Sequence, residues 1–158
     1  MYKRQIKELA KRNQTIAFAE SCTGGLLSSS ITSISGSSKV FQGSIVSYSN
    51  DLKNSLLNIS EEKLKKYGAV SEEVCEAMAI NVKKKLRTDW AIAISGVAGP
   101  DGGSKEKPVG LVYISISGPN NHITNIKKIF NSTRNRIEIQ TLSVNECLNS
   151  LRLILLSI

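Results

Sequence analysis

A run of apolar residues, Ile16-Ala17-Phe18-Ala19, ends at Glu20 and is followed at once by Ser21-Cys22-Thr23-Gly24-Gly25. A short continuous apolar run fits a strand buried on both faces, and the paired glycines allow a tight turn into a helix beginning near Leu26. A strand that feeds a helix through so short a turn is the working unit of α/β domains. The same junction sets a small nucleophilic side chain beside the unpaired N–H groups of a helix start. That geometry suits acyl-transfer chemistry or the holding of an anion, and the motif alone does not choose between them.

The rest of the chain repeats the alternation. Ile6, Leu9 and Ala10 mark a short amphipathic helix, residues 15–19 the first strand and 26–34 a helix ending near Gly36. Residues 43–49 read as a second strand. Asn50 then caps a helix with Asp51 in its first turn and Leu52, Leu56 and Leu57 on its apolar face. A short helix over 60–67 leads to Gly68, and Ser71 caps a longer one carrying Val74, Met78, Val82 and Leu86 at helical spacing. Residues 90–95 form a third buried strand, 96–108 a glycine-rich loop, 109–117 and 123–130 two strands joined by a turn at Gly118-Pro119-Asn120-Asn121, and 137–156 the closing helix. The expected fold is a three-layer α/β/α sandwich with a mixed, roughly five-stranded sheet. With 158 residues, no internal repeat and no linker, one domain over 1–158 is expected.

Composition narrows the partners. The net charge of +8 raises the question of nucleic acid, but the lysine clusters at Lys63/Lys65/Lys66 and Lys83-Lys84-Lys85 fall on helices with acidic neighbours, and no aromatic platform interleaves with them. Solvated helix faces account for them, and no nucleic-acid partner is expected. The N-terminus lacks the apolar stretch of a signal peptide, and the run 151–156 is too short to span a bilayer, so a cytoplasmic location without membrane contact is expected. That C-terminal run could cover a subunit interface as readily as a core edge. Cys22, Cys75 and Cys147 are few and far apart, and His122 is the single histidine, which supports neither a disulfide framework nor a metal site.

A serine hydroxyl is a weak nucleophile until a base takes its proton. His122 sits in a turn between two strands, so the remaining base is a lysine. Lys53 falls on the third residue of the helix expected after Asn50, where the positive end of the helix favours a neutral amine. Tyr48, at the end of the preceding strand, could bridge that amine to Ser21. The plain alternative is a solvent-facing Lys53 and a packing Tyr48. Cys22 is expected to be a small buried residue and Glu20 a solvated or hydrogen-bonded strand end. The glycines of 96–103 could direct backbone N–H groups at an anion or simply form a turn.

The stretches Ala19-Glu20-Ser21-Cys22-Thr23-Gly24-Gly25, Tyr48-Ser49-Asn50 with Lys53, Gly68-Ala69-Val70-Ser71, and Ile94-Ser95-Gly96-Val97-Ala98-Gly99-Pro100-Asp101-Gly102-Gly103 to Lys107-Pro108-Val109-Gly110 together resemble the CinA C-terminal domain family of nicotinamide-nucleotide amidohydrolases. The resemblance runs from about Ile6 to Arg134. It implies deamidation of nicotinamide mononucleotide without a cofactor, with Ser21 as nucleophile, Lys53 as base and Tyr48 as its assistant. On that basis the amides of Thr23, Gly24 and Gly25 are candidates for an oxyanion site. Asn50, Gly99, Asp101, Gly102, Gly103 and Arg134 are candidate contacts for a small nucleotide substrate. One departure stands out: relatives carry a second arginine one turn after the position of Arg134, where this chain has Glu138. A catalytically weak or inactive nucleotide-binding module of the same fold is therefore the competing expectation. The resemblance also implies a stand-alone form of the module.

Overall fold

The computed structural model describes residues 3–158, so Met1 and Tyr2 of the N-terminal reading lie outside the described residues. Five strands form one sheet in the order β2-β1-β3-β4-β5, comprising β1 (Ile16–Glu20), β2 (Phe41–Val46), β3 (Trp90–Gly96), β4 (Leu111–Ser117) and β5 (Ile123–Ile129). β1 pairs in parallel with both β2 and β3, while β3–β4 and β4–β5 are antiparallel. The helices are α1 (Lys3–Lys11), α2 (Leu26–Thr32), α3 (Asn50–Leu57), α4 (Glu61–Tyr67), α5 (Glu72–Leu86) and α6 (Arg136–Ser157). The expected mixed α/β sandwich is the observed one.

Strand alternation divides the core between two layers. Ile16 and Phe18 of β1 and Trp90, Ile92 and Ile94 of β3 point toward α1, α2 and α6, where they meet Leu9, Leu27, Ile31, Leu148 and Leu151. The intervening residues Ala17, Ala19, Ala91 and Ala93 face α5, packing with Val74, Cys75, Met78 and Val82. Large side chains thus fill one side of the sheet, and methyl groups let α5 approach closely on the other.

Element ends depart from expectation where local chemistry decides them. Ser49, not Asn50, caps α3, its hydroxyl accepting from the Leu52 amide at 3.2 Å. β2 starts earlier and stops at Val46, because the register slips by one residue between Phe41 and Gly43 and the last sheet bond is Ser47 N to Glu20 O at 2.8 Å. β4 begins at Leu111 because Gly110 has φ +94, outside the strand region. α6 starts one residue early, on an Asn135 cap closed reciprocally by Glu138.

Ser21 follows directly on β1, and the chain leaves β1 through α2 on one face and returns to β3 through α3, α4 and α5 on the other. A sheet whose connections part in this way leaves a crevice at the carboxyl end of β1. Among the described residues no helix is long and apolar enough to cross a membrane.

Candidate active site

Ser21 lines a cleft of about 250 Å³ together with Cys22, Tyr48, Val70 and the 96–102 loop, and Arg136 closes one side. Its own amide donates to Ile94 O at 3.1 Å, which ties the residue to the end of β3. Lys53 reaches the serine from α3. Its side chain is 1% exposed, and Nζ lies 3.1 Å from Ser21 Oγ and donates to Ser47 O at 2.8 Å. The solvent-facing alternative for Lys53 is therefore excluded.

Burial pushes the Lys53 amine below its ordinary value. The thiols of Cys22 and Cys75 would oppose that shift only if ionised, and burial pushes both up to about 12, so they carry no charge near neutrality. Desolvation is thus the leading cause, rather than the helix dipole invoked from the sequence. A neutral amine has two N–H bonds and one lone pair. With one N–H donated to Ser47 O, the lone pair is free to accept the Ser21 hydroxyl proton. The same burial keeps the Cys22 thiol protonated, as a packing residue rather than a nucleophile.

The helix start behind Ser21 is not open. Glu20 is fully buried and its carboxyl group accepts from Thr23 Oγ1 at 2.7 Å and from the amides of Gly25 and Leu27 at 3.0 Å through Oε2. Oε1 accepts from the Ser28 amide at 2.9 Å and its hydroxyl at 2.5 Å. Gly24 N is also engaged, donating to Ser21 O at 3.1 Å. The expected oxyanion role for the Gly24 and Gly25 amides is thereby overturned, because the protein's own carboxyl group fills the positive end of α2. Among the described residues, the amides of Cys22 and Thr23 have no protein acceptor.

Tyr48 does not bridge the amine to Ser21. Successive strand-end residues point to opposite sides, so with Ser47 fully buried Tyr48 turns outward, 59% exposed, and its hydroxyl accepts from Arg136 Nη2. Arg136 also donates from Nη1 to Gly99 O at 2.7 Å. Gly99, Asp101 and Gly102 line the cleft, whereas Gly103 is exposed and packs against Val109 outside it. Asn50 is exposed on a separate groove between α3 and α4. Arg134 pairs with Glu138 at 3.7 Å and lines a second hollow of about 800 Å³ with Pro100, Val109 and Ile137; the two hollows meet at Arg136. Neither larger hollow is lined by Ser21, so the smaller cleft is the candidate site for chemistry. Sequence reasoning missed Arg136 and Ser47. Arg136 stands two residues from a singled-out arginine, but only the position of the α6 cap aims it at the cleft. Ser47 contributes a backbone carbonyl, which no residue type announces.

The model of the CinA C-terminal domain matches residues 1–155. The chain belongs to the CinA C-terminal domain family. Among relatives, a CinA-like protein of Prochlorococcus marinus strain MIT 9312 is 89% identical over 152 residues, covering 96% of this chain and 36% of the relative. A CinA-like protein of Trichormus variabilis is 49% identical over 144 residues, covering 91% of this chain and 35% of the relative. The chain thus spans about a third of the length of the curated relatives it matches. Among solved CinA-superfamily structures, the competence/damage inducible protein CihA of Agrobacterium tumefaciens superposes with a TM-score of 0.94 at 36% identity, covering 98% of this chain and 92% of that one. A CinA-superfamily protein of Klebsiella pneumoniae gives 0.93 at 27%, covering 99% and 96%. No group of three or more metal-binding side chains occurs among the described residues of this CinA domain.

Proposed function

We propose that this chain is an amidohydrolase that converts nicotinamide mononucleotide and water to nicotinate mononucleotide and ammonia. The observation that carries the reading is the buried Lys53 amine, 3.1 Å from Ser21 Oγ, anchored by Ser47 O and held below its ordinary pKa by burial. The family resemblance supplies the substrate.

In this mechanism Lys53 Nζ takes the hydroxyl proton as Ser21 Oγ attacks the carboxamide carbon. The resulting oxyanion is held by the amides of Cys22 and Thr23, the two donors beside Ser21 that Glu20 leaves open. The Lys53 ammonium then gives its proton to the nitrogen of the departing amide, the C–N bond breaks and ammonia leaves. Water attacks the Ser21 ester next, with Lys53 taking its proton and returning one to Ser21 Oγ, to release the carboxylate. Arg136, facing both hollows, binds the anionic part of the nucleotide, with Tyr48 and the 99–102 backbone around it. No cofactor enters this scheme.

Incubating the protein with nicotinamide mononucleotide and measuring ammonia tests the reading. Release is expected from the wild type and not from Ser21→Ala; no release from the wild type, or equal release from both, rejects it. One observation favours a nucleotide-binding module without turnover: Arg134 is tied to Glu138 and so partly withdrawn from a ligand. Heat of nucleotide binding without ammonia would decide for that module.

A further inference from the structure

Two of the motifs singled out in the sequence, Gly68-Ala69-Val70-Ser71 and Lys107-Pro108-Val109-Gly110, take no part in the scheme above, yet they meet in space. Lys107 Nζ donates to Tyr67 O at 2.7 Å, at the carboxyl end of α4, where unpaired carbonyls favour a cation. The φ of Gly68, +77, is one that side-chain-bearing residues rarely adopt, and a Cβ there would lie 2.6 Å from Lys107 Nζ, so the ammonium group would have to leave its place. Beyond Gly68 the chain is fastened twice more. Ser71 Oγ donates to Gly68 O and Ser95 Oγ to Ala69 O, each at 2.8 Å, which leaves Val70 between them as a wall of the Ser21 cleft.

The loop that Lys107 ends also lines the cleft. It is closed on itself by Ser104 N to Lys107 O at 2.9 Å and Lys107 N to Ser104 Oγ at 3.0 Å, and it is pinned at its beginning by Arg136 on Gly99 O. Asp101 and Gly102, which line the cleft between these two fastenings, are themselves exposed, and the Asp101 carboxylate has no hydrogen-bond partner among the described residues. Their position therefore depends on the two ends.

We infer that Lys107 is a positioning residue that clasps the 99–107 loop to the α4–α5 turn, fixing the spacing between the loop and Val70 across the Ser21 cleft, with Gly68 as the socket for its ammonium group. The clasp acts on how the cleft receives a ligand and not on the reacting atoms. The kinetic part of its test rests on the amidohydrolase reading; the exchange part does not.

Hydrogen–deuterium exchange on the ligand-free chain reads the clasp directly. In Lys107→Met, amides of 99–107 are expected to exchange about tenfold faster, with those of 69–71 loosened reciprocally and β3 unchanged. Gly68→Ala, more than thirty residues away in sequence, is expected to loosen the same loop, and the double variant to add little to either single one. Unchanged exchange at 99–107 in a folded Lys107→Met overturns the inference. If that variant does not fold, an unaffected loop in Gly68→Ala overturns it instead. With ammonia release as readout, Lys107→Met is expected to raise KM about tenfold and leave kcat within about twofold. A fall in kcat at constant KM refutes the positioning role. Should the wild type release no ammonia, the amidohydrolase reading fails while the exchange result still decides the clasp.

Discussion

Helix α2 opens on a buried carboxyl group that takes five donated hydrogen bonds, whereas helix α3 opens on a single serine cap and carries a buried amine one turn further in. Both starts flank Ser21. At α2 the positive end of the helix meets an acidic group and every partner is matched, which is what a stable junction requires. At α3 a potential cation is desolvated with no acidic side chain among its hydrogen-bond partners, an arrangement that works against stability and in favour of a neutral base. The contrast separates a helix start that holds the turn in place from one whose desolvated amine suits the base of the proposed reaction.

Breaking the α3 side should affect activity most. Lys53→Met, close in length and without a proton to exchange, is expected to reduce kcat for ammonia release by about a thousandfold or more while leaving the chain as stable as the wild type or more so. A large fall in stability, measured by urea unfolding, would place Lys53 with Glu20 as a structural group and collapse the contrast. On the α2 side the signs reverse. Glu20→Ala strands buried donors and should lower the unfolding free energy by about 3 kcal/mol or more, with Glu20→Gln recovering part of it because it keeps acceptor capacity in one oxygen.

A smaller effect comes from pH. The Lys53 pKa is lower in the folded chain than unfolded, so between those two values the unfolded state binds more protons and stability rises with pH. The burial penalty is fully present below the folded value and is relieved as pH approaches the ordinary value of 10.5. Ammonia release should rise with pH through the folded value, and the stability gradient should vanish in Lys53→Met; its persistence would assign the gradient to another group. The least effect is expected from Ser49→Ala, which removes only the α3 cap and should cost about 1 kcal/mol by thermal or urea unfolding.

The α2 and α3 starts also differ in how far they could be read from the chain alone. The strand before Ser21 and the helix after it follow from an apolar run and two glycines, both local signals, and the mixed character of the sheet follows from alternating helices and strands that end in two adjacent strands. Glu20 could be marked as a hydrogen-bonded strand end, but not as the group that fills the helix start, because that depends on how Thr23, Gly25, Leu27 and Ser28 turn around it. The nearness of Lys53 to Ser21 is approachable through the missing histidine and the family motifs. Its burial and the Ser47 carbonyl are not, since both depend on where α3 settles against the residues that follow β1 and β2. Tyr48 departs from its expected place because the strand ends at Val46, three residues before the expected end, and the buried Ser47 that follows turns the tyrosine outward to Arg136.

The methyl-lined face of β1 and β3 bears on how such a chain can change over generations. Ala17, Ala19, Ala91 and Ala93 lie wholly buried beneath α5, so a bulkier residue at any of them would shift β1, which leads into Ser21, or β3, to which the Ser21 amide is bonded. Residues 100–106, by contrast, are exposed and touch the cleft only at their inner edge. New ligand preferences can be tried out there by substitution or insertion, while the serine and its amine stay in register.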